Sequence, residues 1–162
     1  MNRLEKDVLG ILAEDSRTTA DKMAVMLGET EENVKNAVRS LEKRGVIVKY
    51  TAVSNLEEEE ELVEALIEVT VTPQSGSGFD GIAEEISGHD EVKSLYLMSG
   101  TYDFLVIVEA PSIKGVARFI SECISTFNCV TGTATHFILK KYKTEGVVTR
   151  AAGKERRLSY QP

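Results

Sequence analysis

Cysteine is scarce in this chain: Cys123 and Cys129 are the only two, and they form no CxxC pair. The two histidines, His89 and His136, stand far apart and belong to no cluster. Metal and redox chemistry therefore have no footing and no cofactor is called for. Reduced, half-buried thiols and packing or surface histidines are expected instead. Long apolar runs are missing too. No stretch approaches the length of a membrane span, and the opening MNRLEKDVLG lacks the apolar core of a signal peptide. A cytoplasmic protein with no membrane partner is predicted. Nor is there an excess of positive charge. The 19 basic and 26 acidic residues leave a net charge of −7, which taken as a sum argues against nucleic acid.

What is present is the 42% hydrophobic content of a folded protein, in 162 residues that suffice for one ordinary domain or two small ones. The charge is also sorted along the chain. Residues 1–55 hold nine basic and nine acidic residues, residues 56–144 hold six and fifteen, and the tail from Glu145 holds four and two. The acidity belongs to the middle and later part, which repels phosphate. Any DNA contact has to come from the first third.

That third contains TEENVKNAVRSLEKRG, Thr30 to Gly45. Thr30 is placed to N-cap a helix, Glu31 and Glu32 suit its positive end, and Val34, Ala37, Val38 and Leu41 form one apolar stripe. Gly45 follows the basic last turn Lys43-Arg44, as a left-handed C′ residue does. Ahead of it, Thr19 precedes a shorter helix from Ala20 to Leu27 that Gly28 ends. A first helix carries Leu4, Val8, Ile11 and Leu12 on its apolar face and stops near Asp15-Ser16-Arg17. After Gly45 the run from Val46 to Val53 is β-branched and strand-like. Three helices and a strand describe a winged helix-turn-helix over residues 1–53.

Residues 54–61, with five consecutive glutamates, form an acidic linker. The period then becomes two. Val63, Ala65, Ile67, Val69 and Val71 share one face of a strand, and a loop follows from Pro73 to Gly78. A helix buries Phe79, Ile82, Ala83 and Ile86. Strands Val92–Ser99 and Phe104–Ala110 make a hairpin across Gly100–Asp103. Pro111-Ser112 opens a helix with Ile113, Val116, Ala117, Ile120 and Ile124 inward, and a strand from Val130 to Lys140 closes the unit. The order β-α-β-β-α-β over 62–143 is the ferredoxin-like split unit, so the fold class is α+β, with a tail at 144–162. Two helices cover one sheet face only. Yet the hairpin is apolar on both, with Leu95, Leu97, Leu105 and Ile107 alternating with Val92, Tyr96, Met98, Phe104, Val106 and Val108. A homodimer pairing sheet to sheet is predicted.

From Leu4 to Lys143 the chain resembles the Lrp/AsnC (leucine-responsive/asparagine-operon) regulators. The likeness rests on the Leu4–Arg17 helix and turn, on VKNAVRSLEKRGVIVKY, on SGTYDFLVIV and on TATHFILKKYK. It implies a DNA-binding first domain, dimers that assemble further to octamers, and a second domain that binds an amino-acid effector between dimers near the hairpin loop. It also implies control of amino-acid metabolism genes. The chain departs from the family at Ala37, where many members have Arg, and in its glutamate-rich linker.

For double-stranded DNA the candidates on the third helix are Glu32, Asn33, Lys35, Asn36 and Arg39. Asn suits adenine edges, Arg and Lys suit guanine or phosphate, and Glu accepts from cytosine. Arg17, Lys43, Arg44 and Lys49 are the backbone-positioning candidates. For the effector, Ser99, Gly100, Thr101, Tyr102 and Asp103 stand at the hairpin, where amides and a carboxylate can meet a zwitterion. Thr131, Thr133 and Thr135 alternate along the last strand. No nucleophile–base–orienter set is present, so no catalytic residue is named and the protein is not read as an enzyme. Two rivals stay open: an amino-acid-sensing or assembly protein without DNA binding, and an enzyme related to porphyrin decarboxylases of similar architecture.

Overall fold

The computed structural model describes residues 1–53, 62–72 and 78–148. The expected linker 54–61, most of the Pro73–Gly78 loop and the tail from Thr149 onward lie outside the described residues. The chain divides into two compact units, Met1–Ser54 and Asn55–Pro162.

The first unit has three helices: α1 (Arg3–Glu14), α2 (Ala20–Leu27) and α3 (Glu31–Lys43). Val8, Leu12, Met23, Val34, Ala37 and Leu41 make its core, one stripe from each helix at helical spacing. Thr30 caps α3 by accepting from Asn33 N at 3.2 Å. Thr19 occupies the N-cap position of α2 without making that bond, and its hydroxyl turns to Asp21 instead. Gly28 and Gly45 both sit at φ +67, the left-handed backbone that ends a helix with little cost only at a residue without Cβ.

The strand expected from Val46 to Val53 does not form among the described residues. Instead Val46 N and Ile47 N both donate to Leu41 O, at 2.9 and 3.2 Å. This folds the chain back and sets Ile47 on the helical core. The physical reason is the missing partner. A strand exists by its ladder, and the helical unit offers no second strand to bond.

The second unit is built on β1 (Val63–Val71), α4 (Asp80–Ser87), β2 (Val92–Leu97), β3 (Phe104–Ala110), α5 (Ile113–Glu122) and β4 (Val130–Phe137). The four strands lie in the order β2-β3-β1-β4, every neighbour antiparallel. Both helices lie on one face, over Ala65, Ile67, Val69, Phe104, Val106 and Val108. Inside that core Phe79 meets Phe104 edge to face at 5.7 Å, and His89 packs on Phe119 at 5.5 Å.

Register corrects two details. Leu95 pairs with Val106 and Leu97 with Phe104, which puts both leucines on the helix-covered face, whereas Tyr96 pairs with Leu105 on the open one. On α5, Val116 and Phe119 are buried and Ile120 half-buried, but Ile113 and Ala117 are exposed because they lie on the flank. Beyond β4 the chain makes a tight hairpin, β5 (Lys143–Thr144) with β6 (Val147–Val148). Its two central residues, Glu145 and Gly146, both have positive φ, as a type I′ turn requires.

Candidate functional site

On α3 the buried positions Val34, Ala37 and Leu41 fix which residues look outward. Glu32, Asn36, Arg39 and Lys43 then follow one another at spacings of four, three and four, one continuous exposed stripe. Arg39, Lys43 and Lys49 have no ion-pair partner among the described residues. Two other α3 candidates are engaged locally. Lys35 Nζ pairs with Glu31 Oε1 at 2.5 Å, one turn earlier, and Asn33 Nδ2 donates to Glu29 Oε2 at 3.0 Å.

The remaining basic candidates are held inside the unit. Arg17 donates through Nε to Asp15 Oδ1 at 3.3 Å, and its backbone N–H bonds the same oxygen. That backbone bond first, and the guanidinium second, hold the Asp15 carboxyl below the usual range. Arg44 pairs through Nη2 with Glu5 Oε1 at 2.8 Å while its Nε donates to Ser40 O. Its guanidinium closes the end of α3 onto α1 and is not held out for a phosphate. Ala37 belongs to the core at 7% exposure and forms no part of the outward face of α3.

The residue that sequence reasoning missed here is Glu5. Its Oε2 accepts from Asn2 N at 3.0 Å and its Oε1 from Ser40 Oγ at 3.0 Å, besides Arg44. The bond from Asn2 N, aided by Ser40 and Arg44, pulls the carboxyl below its ordinary value. The signal was there: Asn2 and Glu5 are three apart at a helix start, the spacing of a capping box.

In the second unit, the hairpin tip and the first of the three threonines come to one end of the sheet. Asp103 Oδ2 accepts from Val71 N at 2.8 Å, and Asp103 N donates to Val69 O at 3.0 Å. Thr131 Oγ1 donates to Thr70 O at 3.2 Å. Both residues therefore grip the last turn of β1. Asp103 keeps one carboxylate oxygen without a hydrogen bond among the described residues. Ser99, Gly100 and Thr101 are exposed and Tyr102 is half-buried beside it. The row of three threonines is broken. Thr70 pairs with Gly132 and Val71 with Val130, which leaves Thr131 as the extra residue of a bulge. Thr133 and Thr135 do share a face, opposite Val69 and Ile67, on the edge strand that the helices leave uncovered.

The open face of the same sheet carries Leu66, Leu105, Ile107 and the 49%-exposed Tyr96. Around them stand two ion pairs, Glu64 with Lys141 and Glu109 with Lys93 at 3.7 Å, and a contact of Glu68 with His136 Nε2 at 3.2 Å. Among the described residues no acidic or histidine/cysteine group could hold a metal, and no helix is long and apolar enough to cross a membrane.

Comparison with known proteins agrees with this arrangement. Residues 1–48 match a family model described as winged helix-turn-helix DNA-binding, and residues 64–148 match the Lrp/AsnC ligand binding domain. Over 160 residues the chain is 42% identical to the uncharacterized HTH-type transcriptional regulator YugG of Bacillus subtilis, covering 98% of this chain and 96% of that one. It is 30% identical to the HTH-type transcriptional regulator LrpA of Pyrococcus abyssi, over 86% of this chain and 96% of the relative. Among solved structures, the leucine response regulatory protein LrpA of Mycobacterium tuberculosis superposes with a TM-score of 0.76 at 25% identity, covering 93% of this chain and all of that one. A feast or famine regulatory protein of M. tuberculosis, solved complexed with L-methionine, gives 0.72 at 26% identity over 92% of this chain and 99% of its own.

Proposed function

Since the chain belongs to the Lrp/AsnC family of DNA-binding transcriptional regulators, we propose that residues 1–53 read an operator through the outward stripe of α3. Asn36 and Arg39 read base edges, Glu32 borders them, and Lys43 and Lys49 position the phosphate backbone. The single observation that carries this assignment is that α3 holds its apolar residues inward and keeps Arg39 and Lys43 unpaired on one exposed face. Residues 62–143 pair two copies through the open sheet face, and dimers assemble further to an octamer. An amino acid binds between dimers at the end of the sheet where Asp103 meets β1, its ammonium group on the remaining Asp103 oxygen. The L-methionine complex of a relative supports an effector of that class. The protein acts in the cytoplasm, on genes of amino-acid metabolism, and catalyses no reaction.

The test is a titration of the wild-type chain and of Arg39→Ala against DNA from its own upstream region at several salt concentrations. The variant is expected to lose roughly 1–3 kcal/mol and to relax discrimination at one base position. Unchanged affinity together with an unchanged salt slope removes Arg39 from the interface. A thermal-shift screen of the common amino acids tests the effector. At a hundredfold excess over its dissociation constant a bound ligand adds about 2.7 kcal/mol of stability.

A further inference from the structure

The helix-turn-helix unit contains a cleft of about 340 Å³ that reading DNA does not require. It opens between the end of α1, the start of α2 and α3. Leu12 and Met23, both core side chains, and the half-buried Val38 give it an apolar lining. Tyr50 faces it from the segment after α3, its hydroxyl donating to Glu42 Oε1 at 2.9 Å. Besides Tyr50, its polar lining residues are Ser16, Thr18, Lys35 and Arg39. Among the described residues no carboxylate lines it. Lys35 is already neutralised by Glu31, whereas Arg39 has no ionic partner there. An apolar hollow of this size with a few donors and one unmatched guanidinium suits an amphipathic anion.

We infer that this cleft is a second ligand site, taking a small carboxylate with an aromatic or branched aliphatic body. The body lies on Leu12, Met23 and Val38, and the carboxylate accepts from the Arg39 guanidinium with Thr18 or Ser16 as a further donor. Arg39 also belongs to the DNA-reading stripe, so the ligand and DNA compete for one side chain. That competition rests on the function proposed above; the site itself does not.

Calorimetric titration of the full chain, without DNA, uses 3-phenylpropionate and its neutral amide as probes. One carboxylate per chain is expected, with the amide held about tenfold more weakly or worse. Ala20→Leu and Thr18→Leu, each filling the cleft, abolish the heat while keeping the wild-type circular dichroism; two variants guard against one misfolding. The acid also displaces upstream-region DNA from the wild type and leaves the Ala20→Leu complex intact. Equal binding of acid and amide, no binding of the acid at millimolar concentration, or binding that survives in both folded variants overturns the site. Failure of the ligand-free chain to bind DNA strikes the regulator assignment alone, because the calorimetry contains no DNA.

Discussion

Glu5 is an ionised side chain at 7% exposure in a unit of three short helices, and it joins the start of α1 to the end of α3. Because its folded-state carboxyl is lowered, its contribution is complete at neutral pH. It is lost as pH falls from the ordinary glutamate range through the lowered folded value. Glu5→Gln is therefore expected to lower the thermal midpoint of the chain at pH 7, and the gap from wild type stays open down to the ordinary glutamate range and narrows only as pH falls below it. Equal midpoints at pH 7 would show the clamp to be idle. This residue also marks where reading from sequence runs short. Arg44 looks like any basic residue near a recognition helix, and Asp103 like any loop carboxylate. Only the folded chain reveals that the first closes on Glu5 and the second on Val71 N. Side-chain partners distant in sequence, such as Ser40 and Glu5, leave no local periodicity.

At the scale of elements the sequence is far more legible, because burial imposes a period. Val63, Ala65, Ile67, Val69 and Val71 announce β1, and Val34, Ala37 and Leu41 announce α3. In both, one apolar face must meet a core. The run from Val46 to Val53 carries strand propensity as strong as that of β1 and yet forms none, since propensity supplies no ladder partner. For the same reason Ile113 misleads: it is apolar and helical but 59% exposed, while Phe119 takes the buried place. The start of α5 is set by Ser112, whose Oγ accepts from Gly115 N at 3.1 Å. Ser112→Ala is expected to cost about 1 kcal/mol in a urea unfolding midpoint with little change in slope. A loss within experimental error would mean that Pro111 and packing alone define this helix start.

For the whole molecule, the pairing proposed above makes the open sheet face the element that would bring two reading heads into step. Ile107→Asp places a charge among Leu66, Leu105 and Tyr96 without touching the helix-covered core. Sedimentation is expected to show the wild type as a dimer or larger and the variant as a single chain. Wild-type sedimentation at one-chain mass would refute pairing through this face. With pairing lost, the variant should bind a whole operator no better than a half-site. The order of the strands has a further consequence, for how the protein is made. β1 is hydrogen-bonded on one side to β3 and on the other to β4, the last strand of the sheet. On the ribosome, the three helices and their shared core emerge long before Val130–Phe137. The sheet stays open along the β1 edge until then. A nascent chain thus passes through a stage with a finished head and an unfinished body, and that bare edge is its most exposed moment for pairing with the wrong neighbour.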